Sequence, residues 1–544
     1  MPSLKSFLTP QAIFLKYDPR RCPSCGEELF YEQQSSGRGI FRLNGWFRVA
    51  SQLVCCGNGR CPLRRTLLHP PQEFALAAPR MRVGTDAWAK VGRLRFAKHM
   101  RRADIRELLV EEDGFEISER KIEDLFKEFG ALAAQDQLRS DEVIGRLKAS
   151  GKLVVSLDAA KPLKDDDAVW FIRDTITGLT LVASALASGR TEDLVALLEP
   201  VAAFAKRHRI PVLGVVSDAE RVIRAAVKEV FPKAPHQLCQ IHLVSNVAKP
   251  LRKKDNELRK ELRDSFRGLN QTERDGQEEV AEGTMTSKQG KVFEELVASV
   301  RSVLRDSGKA PLRPGGLILY ERLLELRQVL RAMLKRRRSG AGRALLEMLE
   351  VLSKVSDKAK WLREYYADVL EIGTILFHEG QTASGAKRQL RELSGRWEDQ
   401  LAQLTASESD QEAAELLNAW QGLMDSYWPG LFHCYGNPYL PATNNGTEKL
   451  IGQLKRLEQF LANNSRPASR FVRNAPHLAL LVNRQQLPGE AFLASRRSED
   501  FRKAKAYLQA RRERAGMASR ARADFSGVLK GLEERWNNSS DTEG

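Results

Sequence analysis

Hydrophobic positions change their spacing near Lys152, and the change divides the chain. Downstream, "KLVVSLDAA" is an apolar run ending in Asp158 and two alanines, the pattern of a strand buried on both faces. "AVWFIRDTITG" and "LTLVASALAS" predict two more strands, with Thr177-Gly178 turning between them. "TEDLVALLEPVAAFAKRHR" has helical spacing, with Thr191 as its expected cap. "PVLGVVSD" predicts another buried strand, ending in Asp218. "AERVIRAAVKEVF" then predicts a helix, and "HQLCQIH" a short strand running into a further helix. The order is three strands, helix, strand, helix, strand.

Upstream, in "RRADIRELLVEEDGFEISERKIEDLFKEFG", Ile105, Leu108 and Leu109 share a helical face that Gly114-Phe115 breaks. Ser118 caps a second helix with Ile122, Leu125 and Phe126 on one side. Helix, glycine-containing turn and capped helix predict a helix-turn-helix within 79–150. Its second helix would present Arg120 and Lys121 to a major groove; an ordinary helical hairpin is the alternative. The basic run Arg93, Arg95, Lys98, Arg101 and Arg102 favours DNA.

After His242 the strand signal fades. "VFEELVASVRSVLRD", "LILYERLLELRQVLRAMLKRRR", "ALLEMLEVLSKV" and "KWLREYYADVLEIGTILF" all repeat at helical periods, which predicts an all-helical insertion over 251–430. Within it "LKRRRSGAGR" supplies Lys335 to Arg338 and Arg343, either a phosphate contact or a solvated loop. Residues 431–494 return to the core begun at 151–250. A charged helical tail fills 495–544, and its end, "NNSSDTEG", is too polar to order.

Charge narrows the partner. Lys and Arg number 87 against 70 acidic residues, a formal charge of +17, which calls for a polyanion. A membrane is the weaker choice, because no apolar stretch reaches the ~20 residues that span a bilayer. The N-terminus shows no signal-peptide core, so a reducing cytoplasm is expected, where cysteines serve as ligands or buried thiols. Cys22-x-x-Cys25 and the cluster Cys55, Cys56 and Cys61 flank β-like sequence in residues 1–78. Two such knuckles predict a zinc ribbon held by Cys22, Cys25, Cys56 and Cys61. Cys55 and His69 are the alternative ligands.

The strand and helix order from Lys152 is that of a ribonuclease-H-like core, so the fold expected is multidomain α/β. A zinc ribbon and helix-turn-helix precede this core, and an all-helical insertion interrupts it. In such a core the first strand lies beside the strand that follows the first helix. Asp158 and Asp218, 60 positions apart, would then meet at adjacent strand ends. Paired carboxylates suit Mg²⁺ or Mn²⁺, and two such ions activate a hydroxyl and stabilise a leaving oxygen on phosphorus. A third carboxylate should come from a later helix. Glu448, in "NPYLPATNNGTEKLIGQLKRLEQF", begins a helix whose packing face is Leu450, Ile451, Leu454 and Leu457. Lys455 and Arg456 on that helix would meet phosphate. Asp165, Asp166 and Asp167 rival Asp158 but read as a solvated turn.

The strand aspartate, "SDAE…CQIH" and "TNNGTEKLIGQLKR" together resemble the DDE transposases of bacterial insertion sequences. They are most similar to the Mutator-like group and relatives with a Cys-x-x-His after the second aspartate. The resemblance implies Asp158, Asp218 and Glu448 as catalytic triad, with His242 near the scissile phosphate and Cys239 as its motif partner. It implies a Mg²⁺-dependent enzyme that binds terminal inverted repeats of double-stranded DNA, cuts the ends and joins 3′-hydroxyls to target DNA. Two ends imply a homodimer or higher oligomer, at work in a bacterial cytoplasm on the nucleoid. The competing readings are a nuclease without strand transfer, and a captured transposase that only binds DNA as a regulator.

Overall fold

The computed structural model describes residues 9–532, apart from 136–137, 139, 162–166, 187–188, 310, 405–407, 462–470, 473, 484–488, 497 and 525. Asp165, Asp166 and the "NNSSDTEG" end lie outside the described residues.

The N-terminal strands are β1 (Gln11–Leu15), β2 (Leu29–Gln34), β3 (Arg38–Arg42) and β4 (Gly45–Cys56). Five helices follow: α1 (Pro71–Leu76), α2 (Thr85–Phe96), α3 (Arg102–Asp113), α4 (Glu119–Gln135) and α5 (Asp141–Ser150). Next come β5 (Leu153–Ala160), β6 (Ala168–Asp174), β7 (Thr180–Leu186), α6 (Thr191–His208), β8 (Val212–Ser217), α7 (Arg221–Val230) and β9 (His236–Leu238). The helical stretch contains α8 (Gln240–Asp264), α9 (Leu269–Ala281), α10 (Ser287–Arg305), α11 (Gly315–Arg336), α12 (Gly340–Met348), α13 (Val351–Lys354), α14 (Ser356–Phe377), α15 (Ala383–Gln403) and α16 (Glu408–Tyr427). The last elements are α17 (Asn445–Leu461), α18 (Ala475–Val482), α19 (Glu490–Ala494) and α20 (Ser498–Ala523). Two compact units result: residues 1–213, 225–234 and 445–544, and residues 214–224 and 235–444.

In the first unit β4 is the hub of a small sheet. It runs parallel to β1 and antiparallel to β2 and β3. Farther on, β5, β6 and β7 form an antiparallel meander, with Asp158 opposite Phe171 and Ile172 opposite Val182. The turn that closes β6 is built by Asp174. Its buried carboxylate accepts from the amides of Val154, Ile176 and Thr177 and from the Thr177 hydroxyl. Nearly every β5 residue is buried, as a continuous apolar run requires. Leu153 donates its N–H to Pro211 O at 3.0 Å, so β5 starts beside the residue that leads into β8. One core joins Ile105, Leu125 and Phe129 of the early helices to Phe171, Leu454 and Leu478. Gly114, at φ 61°, lets the chain leave α3 in the left-handed region that side chains avoid. Contrary to the sequence expectation, Arg190 caps α6 and Thr191 is its first helical residue, with no side-chain cap bond. The edge of β7 is covered locally: the Asn483 side chain bonds both the N–H and the C=O of Thr180, at 3.1 and 2.9 Å.

In the second unit β8 pairs parallel with β9, Val215 opposite His236 and Ser217 opposite Leu238. From β9 the chain enters α8, where Leu243, Val244, Val247, Leu251, Leu258 and Leu262 recur at three- and four-residue spacing and are all buried. Helices α11, α14 and α16 pack around it. Trp420 donates its indole N–H to Val247 O at 2.8 Å, and its ring lies 5.2 Å from that of Trp397.

A buried carboxylate locks two of these helices. Asp255 of α8 accepts the amides of Gly316 and Leu317, at 3.1 and 2.9 Å, in the first turn of α11. A Cβ on Gly316 would stand 2.1 Å from Asp255 O, so only glycine allows this approach. Burial raises the Asp255 carboxyl pKa although the amides work against the shift. Asp255→Ala should strand both N–H groups and lower stability by about 3 kcal/mol. Asp255→Asn, which keeps one acceptor, should cost about half as much. Urea unfolding followed by far-UV dichroism measures both, and an unchanged Asp255→Ala midpoint would refute the lock.

Candidate active site and metal centre

The four cysteines expected to bind metal converge in the first unit. Cys22 Sγ is 3.7 Å from Cys61 Sγ, Cys25 Sγ is 3.6 Å from Cys56 Sγ, and all four sulfurs lie within 4.8 Å of one another. Tetrahedral zinc with Zn–S bonds of about 2.3 Å needs sulfurs about 3.8 Å apart, so the cluster could hold zinc as it stands. Alternation along β4 turns Cys55 to the other face, where its thiol donates to Glu32 at 3.3 Å. His69 pairs with Glu73 at 2.8 Å. Neither alternative ligand belongs to the cluster. The amides of Cys25 and Ser24 lower Cys22 to about 7, so it is poised to give up its proton. The Asn58 amide acts the same way on Cys56, but desolvation and the neighbouring thiols prevail and push it up to about 12.

Asp158 lies near the end of β5, almost buried, and its carboxylate accepts the Ala159 amide at 2.7 Å. Two residues earlier Ser156 Oγ meets Thr447 Oγ1 of α17 at 2.5 Å, both side chains buried. That bond seats the first turn of α17 on β5, and Glu448 is the next residue. Leu450, Ile451 and Leu454 are buried and Leu457 is half-buried, while Glu448, Lys455 and Arg456 are exposed. Glu458 is buried instead and accepts Asn474 Nδ2 at 3.2 Å. The helical period thus gives the two glutamates of α17 opposite roles, one inside and one at the surface.

In the second unit Asp218 directly follows β8, and His242 sits in the first turn of α8. His242 Nδ1 is 2.7 Å from Asp218 Oδ1. Burial pulls the imidazole pKa down, but the Asp218 carboxylate and then the Cys239 sulfur overcome it and raise it to about 11. Strand β9 ends at Leu238, so Cys239 and His242 do not continue it; Cys239 is the N-cap of α8. Its sulfur accepts the Asn444 amide at 3.2 Å, and Gln240 N donates to Ala442 O at 3.0 Å. The Cys-x-x-His spacing therefore does two jobs from one helical turn. The cysteine anchors the "PATNN" loop, and the histidine holds the aspartate. No motif announced Tyr427: Asn246 Nδ2 donates to its hydroxyl at 3.0 Å, and burial and the Asp218 charge raise its pKa.

Arg120 is exposed and Lys121 half-buried, both in the first turn of α4. Farther along, Leu125, Phe126, Phe129, Leu132 and Ala133 are buried. Glu123, between these regions, pairs with Arg102 and Lys127. The surface that α4 offers is its N-terminal turn.

Residues 170–246 match the family described as the MULE transposase domain. The matched segment runs from β6 into α8 and contains Asp218, Cys239 and His242. It speaks for a transposase. No curated protein matches the chain. Among solved structures the chain is similar to the Drosophila P element transposase strand transfer complex, at 10% identity and a TM-score of 0.32. That alignment covers 76% of this chain and 95% of the other. No helix among the described residues is long and apolar enough to cross a membrane.

The cluster geometry predicts one zinc per chain, retained by Cys55→Ser and lost in Cys56→Ser. Elemental analysis of the purified variants decides it; equal loss from both would show that Cys55 is a ligand.

Proposed function

We propose that this chain is a DNA transposase with a ribonuclease-H-like core, acting on phosphodiesters through Asp158, Asp218 and Glu448. The observation that carries the proposal is Asp218 at the end of β8, held by His242, inside the segment that matches a transposase domain. Asp158, near the end of the apolar run of β5, is paired with Asp218, after that of β8, on the strand pattern of the sequence. The Ser156–Thr447 bond supports Glu448 as the third member, since it seats the adjacent residue on the strand that carries Asp158. Oxygen donors from three carboxylates suit Mg²⁺ or Mn²⁺, which would activate the attacking hydroxyl and neutralise the departing oxygen when bound.

In this reading the protein positions the reactants. Asp158, on a strand buried in the sheet, has little freedom to move. The His242 contact holds the Asp218 carboxylate in one orientation. Lys455 and Arg456, exposed on α17, meet the phosphates of the cleaved strand. The cysteine module, with zinc, and helices α3 and α4 as a helix-turn-helix bind the terminal repeats, Arg120 and Lys121 at the groove. Cutting two ends and joining them to target DNA calls for at least two protomers, in a bacterial cytoplasm.

Asp218→Asn and Glu448→Gln should each lower Mg²⁺-dependent cleavage of the element's ends by about two orders of magnitude or more, with end binding retained. Glu458→Gln should cleave normally, because its carboxylate is directed into the protein. Gel assays with purified protein report cleavage and joined products together. An active Glu448→Gln beside an inactive Glu458→Gln would overturn the triad.

A further inference from the structure

We propose that the cysteine module is a stacking surface for unpaired DNA, with Phe30 and Tyr31 taking bases and the surrounding arginines taking phosphates. The proposal rests on the DNA-transposase reading and deepens it, because that reading requires only double-stranded ends.

Leu29, the first residue of β2, is 2% exposed and packs among the ligand cysteines. The next two residues do the opposite: Phe30 is 60% exposed and Tyr31 56%, more than any other aromatic among the described residues. Leaving two adjacent rings in water is costly for a module this small, and exposed aromatics of this kind mark a binding face. Phe30 is not a stray ring at a loop tip. It pairs with Cys55 across the ladder, and its Cε2 lies 3.1 Å from where a Cβ on Gly57 would stand. The ring therefore rests on the second cysteine knuckle, the loop from Cys56 to Cys61.

That knuckle and the first supply the charge. Arg60, Arg64 and Arg65 surround Cys61 and are exposed, and Arg20 and Arg21, also exposed, precede Cys22. The backbone brings both groups to the cluster: Arg20 O accepts Leu29 N at 3.0 Å, Arg64 N donates to Cys61 O at 3.0 Å, and Arg65 N to Cys56 O at 3.3 Å. From Lys16 to Arg65 nine cationic residues stand against four acidic ones. The acids nearest the rings along the chain are Glu27, Glu28 and Glu32, and Glu32 is engaged by the Cys55 thiol.

Chemistry then selects the occupant. The positive charge asks for a polyanion. Two protruding rings ask for flat apolar faces, which a duplex keeps stacked inside and an unpaired strand leaves open. Successive residues of a strand face opposite ways, so Phe30 stands on the Cys55 side of β2 and Tyr31 on the other. One platform on each side of the strand, with arginines near the cysteines, matches single-stranded DNA that crosses β2, such as a frayed or displaced strand at a cleaved end.

The test is anisotropy of a labelled oligothymidine of about 12 nucleotides, which spans one such module, against a blunt duplex of equal length. The full chain is used, with zinc content measured in each variant. Phe30→Leu/Tyr31→Leu should weaken oligothymidine binding by about tenfold or more, since each stacked base contributes on the order of 1–3 kcal/mol. Duplex affinity should change by less than about twofold, since duplex contacts go to phosphate. Arg64→Gln/Arg65→Gln should weaken both ligands and lower the log–log salt slope by about 1.5. Equal loss of single-strand and duplex binding in the ring variant, with zinc retained, would overturn the stacking surface, as would no loss. Wild-type protein that binds the duplex but not oligothymidine would also overturn it and leave the transposase reading standing. Binding to neither would sink both.

Discussion

A carboxylate and an imidazole 2.7 Å apart, at the point where a strand hands over to a helix, fix the junction on which the second unit is built. Asp218 follows a strand only six residues long. Its side chain is held by His242, which α8 delivers in its first turn. Everything else near that end accommodates the pair. Cys239 caps the helix, the "PATNN" loop is pinned to the cap, and Tyr427 brings a hydroxyl close enough to sense the aspartate's charge. The contact works both ways: the Asp218 carboxylate raises the imidazole pKa against the opposing effect of burial.

The first unit meets the same requirement by a different route. Ser156 and Thr447 are 291 positions apart, yet their hydroxyls form a buried bond. A contact of such sequence separation carries a large loop-closure entropy, which the packing around it must offset. The intervening helices have a core of their own, with Trp397 and Trp420 fully buried. The hydrophobic face of α17, Leu450, Ile451 and Leu454, shares one buried core with Phe171 and adds to the same seat.

Much of this was legible in the residues. Apolar runs ending in acids located β5 and β8, and helical spacing gave Leu450, Ile451 and Leu454 as the buried face of α17. The two-residue period of β4 separates Cys56 from Cys55, although from spacing alone the two were nearly equivalent. What could not be read depends on contacts between distant segments. Neither a cysteine accepting an amide 205 positions away nor an aspartate capping a helix 61 positions on leaves a local pattern. The burial of α4 was hidden for the same reason. Its amphipathic face was visible, but the packing of α18 and α20 against it was not. Thr191 failed as a cap because a good capping residue one position too late is simply the first residue of the helix.

Helix α8 has a mechanical consequence. Its 25 residues make a rod about 37 Å long. One end holds His242, and the length beyond it is the spine on which α11, α14 and α16 are packed, with Asp255 latched to α11. Pro250 removes one rung near the middle, which makes that point the natural place to bend. The same helix therefore carries the histidine beside Asp218 and the surface on which the helical core is built, so the carboxylate contact and that core share one backbone.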